Sequence, residues 1–109
     1  MATYEFQQDG EENYRLVRKR WMGSKKLDVY YSKNHFGRYV LCVKHKKESA
    51  NTDMMSSIQA VRVTSLLKKL GVSKTDLQNT KFPKNTEQKA IEHLGQIVAS
   101  LAAAVGVKK

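Results

Sequence analysis

The pattern of the chain changes at residues 46–51, and that change fixes the fold class. Before it, short apolar–polar alternations of period two are separated by turn signals; after it, apolar residues recur at helical spacing. Strands followed by helices, without interleaving, make an α+β domain rather than a βαβ one. At 109 residues the chain is the size of one domain, so residues 1–109 are read as a single unit.

Four strands are expected, at about residues 2–7, 13–22, 27–32 and 38–45. Tyr4 and Phe6 alternate with Thr3 and Glu5 in the first, and Asp9-Gly10 is a strong turn signal after it. In the second, Tyr14, Leu16, Arg18 and Arg20 share one face and Arg15, Val17, Lys19 and Trp21 the other, so each face is mixed. Gly23-Ser24 is the next turn. Leu27, Val29 and Tyr31 are in phase in the third strand, which places Tyr31 in the core. Residues 33–37 make a hairpin connection, and Tyr39, Leu41 and Val43 alternate in the fourth strand. Short connections favour a four-stranded antiparallel meander.

Two helices should follow, at about 52–70 and 86–105, packed on one face of the sheet. Residues 46–51 read as a polar linker, with Asn51 or Thr52 as the first helix cap. Met54, Met55, Ile58, Val61, Val63, Leu66, Leu67 and Leu70 are helically spaced, and Lys68, Lys69 and Gly71 form a stop signal. Residues 72–85 connect, with a short turn at 73–77. Asn85 with Gln88 resembles a capping box. Ile91, Leu94, Val98, Leu101, Ala102 and Val105 form one stripe, ended by Gly106.

Charge decides the function class. The chain carries twenty Lys/Arg against ten Asp/Glu, a formal +10 at pH 7. Residues 13–47 alone hold eleven bases and one acid, together with six of the nine aromatic residues. Basic residues that track phosphates, interleaved with rings on which bases stack, are what single-strand binders use. The expected partner is therefore nucleic acid, single-stranded favoured over duplex, bound with low sequence specificity through an open sheet face; duplex DNA bound by a β-ribbon in the major groove is a variant of the same reading. The candidate contacts are the cations Arg15, Arg18, Lys19, Arg20, Lys25, Lys26, Lys33, Arg38, Lys44, Lys46 and Lys47, and the rings Trp21, Tyr30, Phe36 and Tyr39. Phe36, at a hairpin tip beside Lys33, His35 and Arg38, is placed to insert beside bases. A homo-oligomer is expected, since repetition would lengthen a short basic groove.

Other chemistries leave weaker traces. His35, His45 and His93 lack metal-ligand spacing and there is one cysteine, so no metal site and no cofactor are expected. No glycine-rich phosphate loop or catalytic carboxylate pair stands out, and the chain reads as non-enzymatic. The enzymatic alternative is a small metal-independent ribonuclease using His35, His45, Arg38 and Tyr39; the other alternative is a basic inhibitor module with an acidic protein partner. Cys42, between Leu41 and Val43, reads as a small buried hydrophobe. A polar, acidic first segment without an apolar core, no membrane-length apolar run and a lone thiol suggest an intracellular protein, in cytoplasm or nucleoid/nucleus, with no membrane contact.

Overall fold

A computed structural model describes residues 3–53 and 56–106, with side chains described up to residue 104. The fold is α+β: a five-stranded antiparallel meander in the order β1-β2-β3-β4-β5, with the helices on one face. The strands are β1 (Thr3–Gln8), β2 (Asn13–Arg20), β3 (Gly23–Lys33), β4 (Tyr39–His45) and β5 (Glu48–Asn51). The helices are α1 (Ser57–Lys69), α2 (Lys74–Gln78) and α3 (Gln88–Gly106).

The four expected strands are present and a fifth joins them. Residues 48–51, read as linker, pair with β4 through Val43↔Ala50 and Cys42↔Asn51. Thr52 extends that pairing instead of capping a helix: its N–H donates to the Leu41 carbonyl (3.0 Å), and its Oγ1 accepts from the Leu41 N–H (2.9 Å). The first helix therefore starts later than expected, capped by Ser56, whose side chain accepts from the Gln59 N–H. Met54 and Met55, counted in its apolar run, lie outside the described residues. The turn expected at 73–77 is the short helix α2, closed by a reciprocal Ser73–Asp76 capping box. Asn85 caps nothing: it lies in a turn closed by Thr86 on the Pro83 carbonyl, and α3 begins at Gln88. The buried stripe of α3 is Ala90, Leu94, Ile97, Val98 and Leu101; the expected Ile91 and Ala102 are exposed, and the side chain of Val105, also expected in the stripe, lies outside the described ones. The Tyr31 hydroxyl ties this stripe to the sheet by donating to the Ala90 carbonyl (2.7 Å).

The core lies between the helices and the face carrying Tyr4, Phe6, Tyr14, Leu16, Leu27, Val29, Tyr31, Tyr39, Leu41 and Val43. Phe82, from the α2–α3 connection, plugs its β1 side. It stacks on Phe6 (5.1 Å) and meets Tyr14 edge-on (5.8 Å). The same connection seals the outer edge of β1. The Phe6 N–H donates to the Lys81 carbonyl (2.8 Å), and the Lys81 N–H donates to the Tyr4 carbonyl (3.1 Å).

Two irregularities shape the β2–β3 hairpin. Arg15 pairs with Tyr30 but Val17 pairs with Lys26, so β3 bulges opposite Leu16. Across the bulge Leu27 and Val29 both stay buried and Asp28 is exposed. At the far end, Arg20 pairs with Gly23 across a two-residue tip, Trp21-Met22, and Gly23 takes a φ of 93°.

Gly71 ends α1 with a φ of 78°, and a Cβ there would meet the Arg18 guanidinium at 3.0 Å. Gly71→Ala is expected to destabilise by about 1–2 kcal/mol, from positive-φ strain and a displaced Arg18; the change in the urea midpoint measures it. Burial, then the nearby Tyr39 and Tyr14, push the Tyr31 hydroxyl well above its ordinary range. The folded state therefore keeps a proton that the unfolded chain releases above about pH 10, so this stability is full below that pH and falls as pH rises. Tyr31→Phe should cost about 1 kcal/mol at neutral pH through the lost hydrogen bond. It should also flatten the alkaline fall when urea midpoints at neutral and strongly alkaline pH are compared.

Candidate nucleic-acid interface

A meander of alternating strands puts its turns at two opposite ends. The β2–β3 and β4–β5 turns lie at one end; the β1–β2 and β3–β4 turns lie at the other. The charges divide along the same axis. Lys19, Arg20, Lys25, Lys26, Lys46 and Lys47 gather at the first end, beside the last turn of α1, where Lys69 reaches Glu48 (2.9 Å). That hydrogen bond and the ammonium charge hold the Glu48 carboxyl below the usual range. Asp9, Glu11 and Glu12 lie in the β1–β2 turn at the opposite end, and Glu87 is nearby, 4.0 Å from Lys33.

Strand pairing assigns each cation of the hairpin to a face. Lys19 and Lys26 stand on the face away from the helices, in phase with Val17 and its partner; Arg18, Arg20 and Lys25 stand on the helix side, in phase with Tyr4 and its partner. On the β4 side the hairpin stands clear, since β4 has no partner on β3 beyond Val29; on the other side β1 accompanies β2 up to Lys19, which pairs with Thr3. Among the described residues, Lys19, Arg20, Lys25, Lys26, Arg38, Lys44, Lys46 and Lys47 take part in no ion pair.

Three of the predicted cations are engaged inside the fold. Arg18 donates through Nε to the Tyr4 hydroxyl (3.1 Å) and through Nη2 to the Leu70 carbonyl, while the Tyr4 hydroxyl donates to the Gly71 carbonyl (3.2 Å). A guanidinium at the last carbonyls of α1 satisfies the acceptors that a helix end leaves open. Arg15 fills the β3 bulge, donating to the Leu27 carbonyl (3.0 Å) and the Asp28 carboxylate (3.0 Å). Lys33 lies between Glu12 (3.9 Å) and Glu87 (4.0 Å), over the Tyr39 ring.

The predicted rings do not share one platform. Tyr39 is 6 % exposed and stacks on Tyr31 (5.2 Å). Burial, then the Glu87 carboxylate with Tyr14 and Glu12, raises the pKa of its hydroxyl. Tyr30 sits half-buried on the open face, with Arg15 at 5.2 Å and Lys44 at 5.8 Å from its ring centre. Trp21 is 94 % exposed and Phe36 85 %, but they cap opposite ends of β3, whose length separates them by roughly 30 Å. The Phe36 hairpin is braced from within, since the N–H groups of Phe36 and Arg38 both donate to the Asn34 side chain (3.0 and 2.9 Å). Met22, 77 % exposed beside Trp21, belongs to the basic end and was counted in sequence only as the end of a strand. Its place just before the Gly23 turn is the signal that marks it as tip.

His35 and His45 stand at opposite ends of β4, so the ribonuclease candidates do not converge. Arg38 and Tyr39 instead line a groove with Lys33, Glu87 and His93 at the acidic end. Cys42 is half-buried on the open face, opposite Tyr30. Among the described residues, no group of three or more His, Cys, Asp or Glu is placed to hold a metal ion, and no helix is long and apolar enough to cross a membrane. No known family, curated protein or solved structure matches the chain.

The internal engagement of Arg15 and Arg18 separates stability from surface charge. Arg18→Ala and Arg15→Ala should each destabilise by about 1–3 kcal/mol, by stranding carbonyl acceptors. Arg20→Ala and Lys25→Ala should stay within about 0.5 kcal/mol of wild type, as exposed substitutions do. Urea denaturation of the four variants measures the contrast.

Proposed function

We propose that this protein binds nucleic acid without transforming it, and that its contact surface is the outer β2–β3 hairpin with the adjoining Lys44, Lys46 and Lys47. One observation carries the reading: the hairpin ends in Lys19, Arg20, Lys25 and Lys26, which are in no ion pair among the described residues, and Trp21 lies fully exposed at its tip. Cations clustered without acids bind phosphate by releasing its counterions. The acids at the far end give the molecule a charge axis that turns the hairpin toward a polyanion. Lysines along an exposed ribbon also oppose strand addition by another protein, which favours this reading over a protein-docking edge.

Contacts of this kind give affinity with little sequence preference. An intracellular setting belongs to the proposal, as does a free thiol at Cys42. Self-association would repeat the hairpin along one polymer and raise avidity; the exposed Ala99, Ala102 and Ala103 of α3 offer a face for it.

The test is a salt titration of binding to fluorescently labelled oligonucleotides. Log affinity should fall steeply and linearly with log salt. Replacing Lys19, Arg20, Lys25 and Lys26 together by Ala should weaken binding and reduce the slope by about 3–4. Arg38→Ala, at the acidic end, should leave both unchanged. Absence of binding to every oligonucleotide at low salt would overturn the proposal.

A further inference from the structure

The way the cations are divided over the hairpin names its partner more closely. A surface that follows one strand needs its charges on one side and its rings in series. Here Lys19 and Lys26 lie on one face of the ribbon, while Arg20 and Lys25 lie on the other. Trp21 and Met22 project between the two rows at the tip, 94 % and 77 % exposed. The next freely exposed ring, Phe36, is at the far end of β3.

Charges on two faces with an apolar point between them match a groove, which has a phosphate chain along each wall. The major groove of B-form DNA is about 12 Å wide and admits a two-stranded ribbon. The major groove of A-form RNA is too narrow for side-chain entry. Apolar side chains that reach a base step can wedge into it and kink the duplex.

Resting on the nucleic-acid reading above, we propose that the β2–β3 hairpin enters the major groove of double-stranded DNA tip first. Lys19 and Lys26 meet the phosphates of one wall, Arg20 and Lys25 those of the other, and Trp21 with Met22 wedges at a base step. Arg18 positions the hairpin from behind by fixing its helix-side face to the end of α1.

The experiment compares duplex DNA, single-stranded DNA and duplex RNA of one length. It reads the fluorescence of Trp21, the only tryptophan, and energy transfer between dyes on the two duplex ends. Duplex DNA should bind most tightly, quench Trp21 and bring the dyes closer. The pair Lys19→Ala with Lys26→Ala and the pair Arg20→Ala with Lys25→Ala should each reduce the salt slope by about 2. Trp21→Ala with Met22→Ala, read by anisotropy of labelled DNA, should lose the bend and about 5- to 100-fold in affinity while keeping the slope. Lys19 is half-buried and the other five are exposed, so circular dichroism of each variant should match wild type.

Tighter binding to single strands or to duplex RNA, or a slope change confined to one pair, would overturn the two-walled insertion and leave nucleic-acid binding standing. Duplex binding without quenching or bending would overturn the wedge. Absence of binding to all three would remove this inference together with the function on which it rests.

Discussion

Arg18 is the hinge between fold and surface. It is one of the eleven bases of the central segment, yet it faces the helices, and its guanidinium closes the C-terminal end of α1 together with the Tyr4 hydroxyl. The helix end needs donors for its last carbonyls, and the sheet supplies one from the strand that leads into the exposed hairpin. Gly71 leaves the space in which that contact forms. One interaction therefore joins β1, β2 and α1 at the root of the basic tip.

Around that root, engaged and free cations have different roles. Arg15 restores hydrogen bonding where β3 bulges, and Lys33 offsets two carboxylates near the acidic turn. Of the central segment's cations in no ion pair among the described residues, all but Arg38 lie toward one end of the sheet. A net charge of +10 is thus a poor description of the molecule; its directional distribution is the physically useful quantity.

Much of the fold was legible because its elements repeat a simple signal. Tyr4 with Phe6, Leu27 with Val29 and Tyr31, and Tyr39 with Leu41 and Val43 all show which face is buried. Asp9-Gly10, Gly23 and Gly37 mark turns that do form. The missed elements lack such signals. In β5 only Ala50 faces the core, so its existence depends on β4 and on Thr52 extending the ladder. The outer part of β3, Gly23–Lys26, is polar or charged and is ordered by β2 alone. The basic segment of the site was legible as composition, but the division into free and engaged cations depends on the bulge and on α1, which lie outside any local pattern. Tyr39 is the instructive exception: its phase with Leu41 and Val43 already placed it inside.

The seal on β1 has a temporal consequence. The backbone groups of Tyr4 and Phe6 wait for Lys81, and the ring of Phe6 waits for Phe82. During ribosomal synthesis β1 is made well before the connection between α2 and α3, so its outer edge cannot be closed until that connection has emerged. Through that interval the nascent sheet carries an open edge, with Glu5 on the strand and Glu11 and Glu12 in the adjoining turn as the charges that deter pairing with a neighbouring chain. Closure of this edge is thus a late event in the making of the domain, governed by the arrival of two residues from the connection between helices.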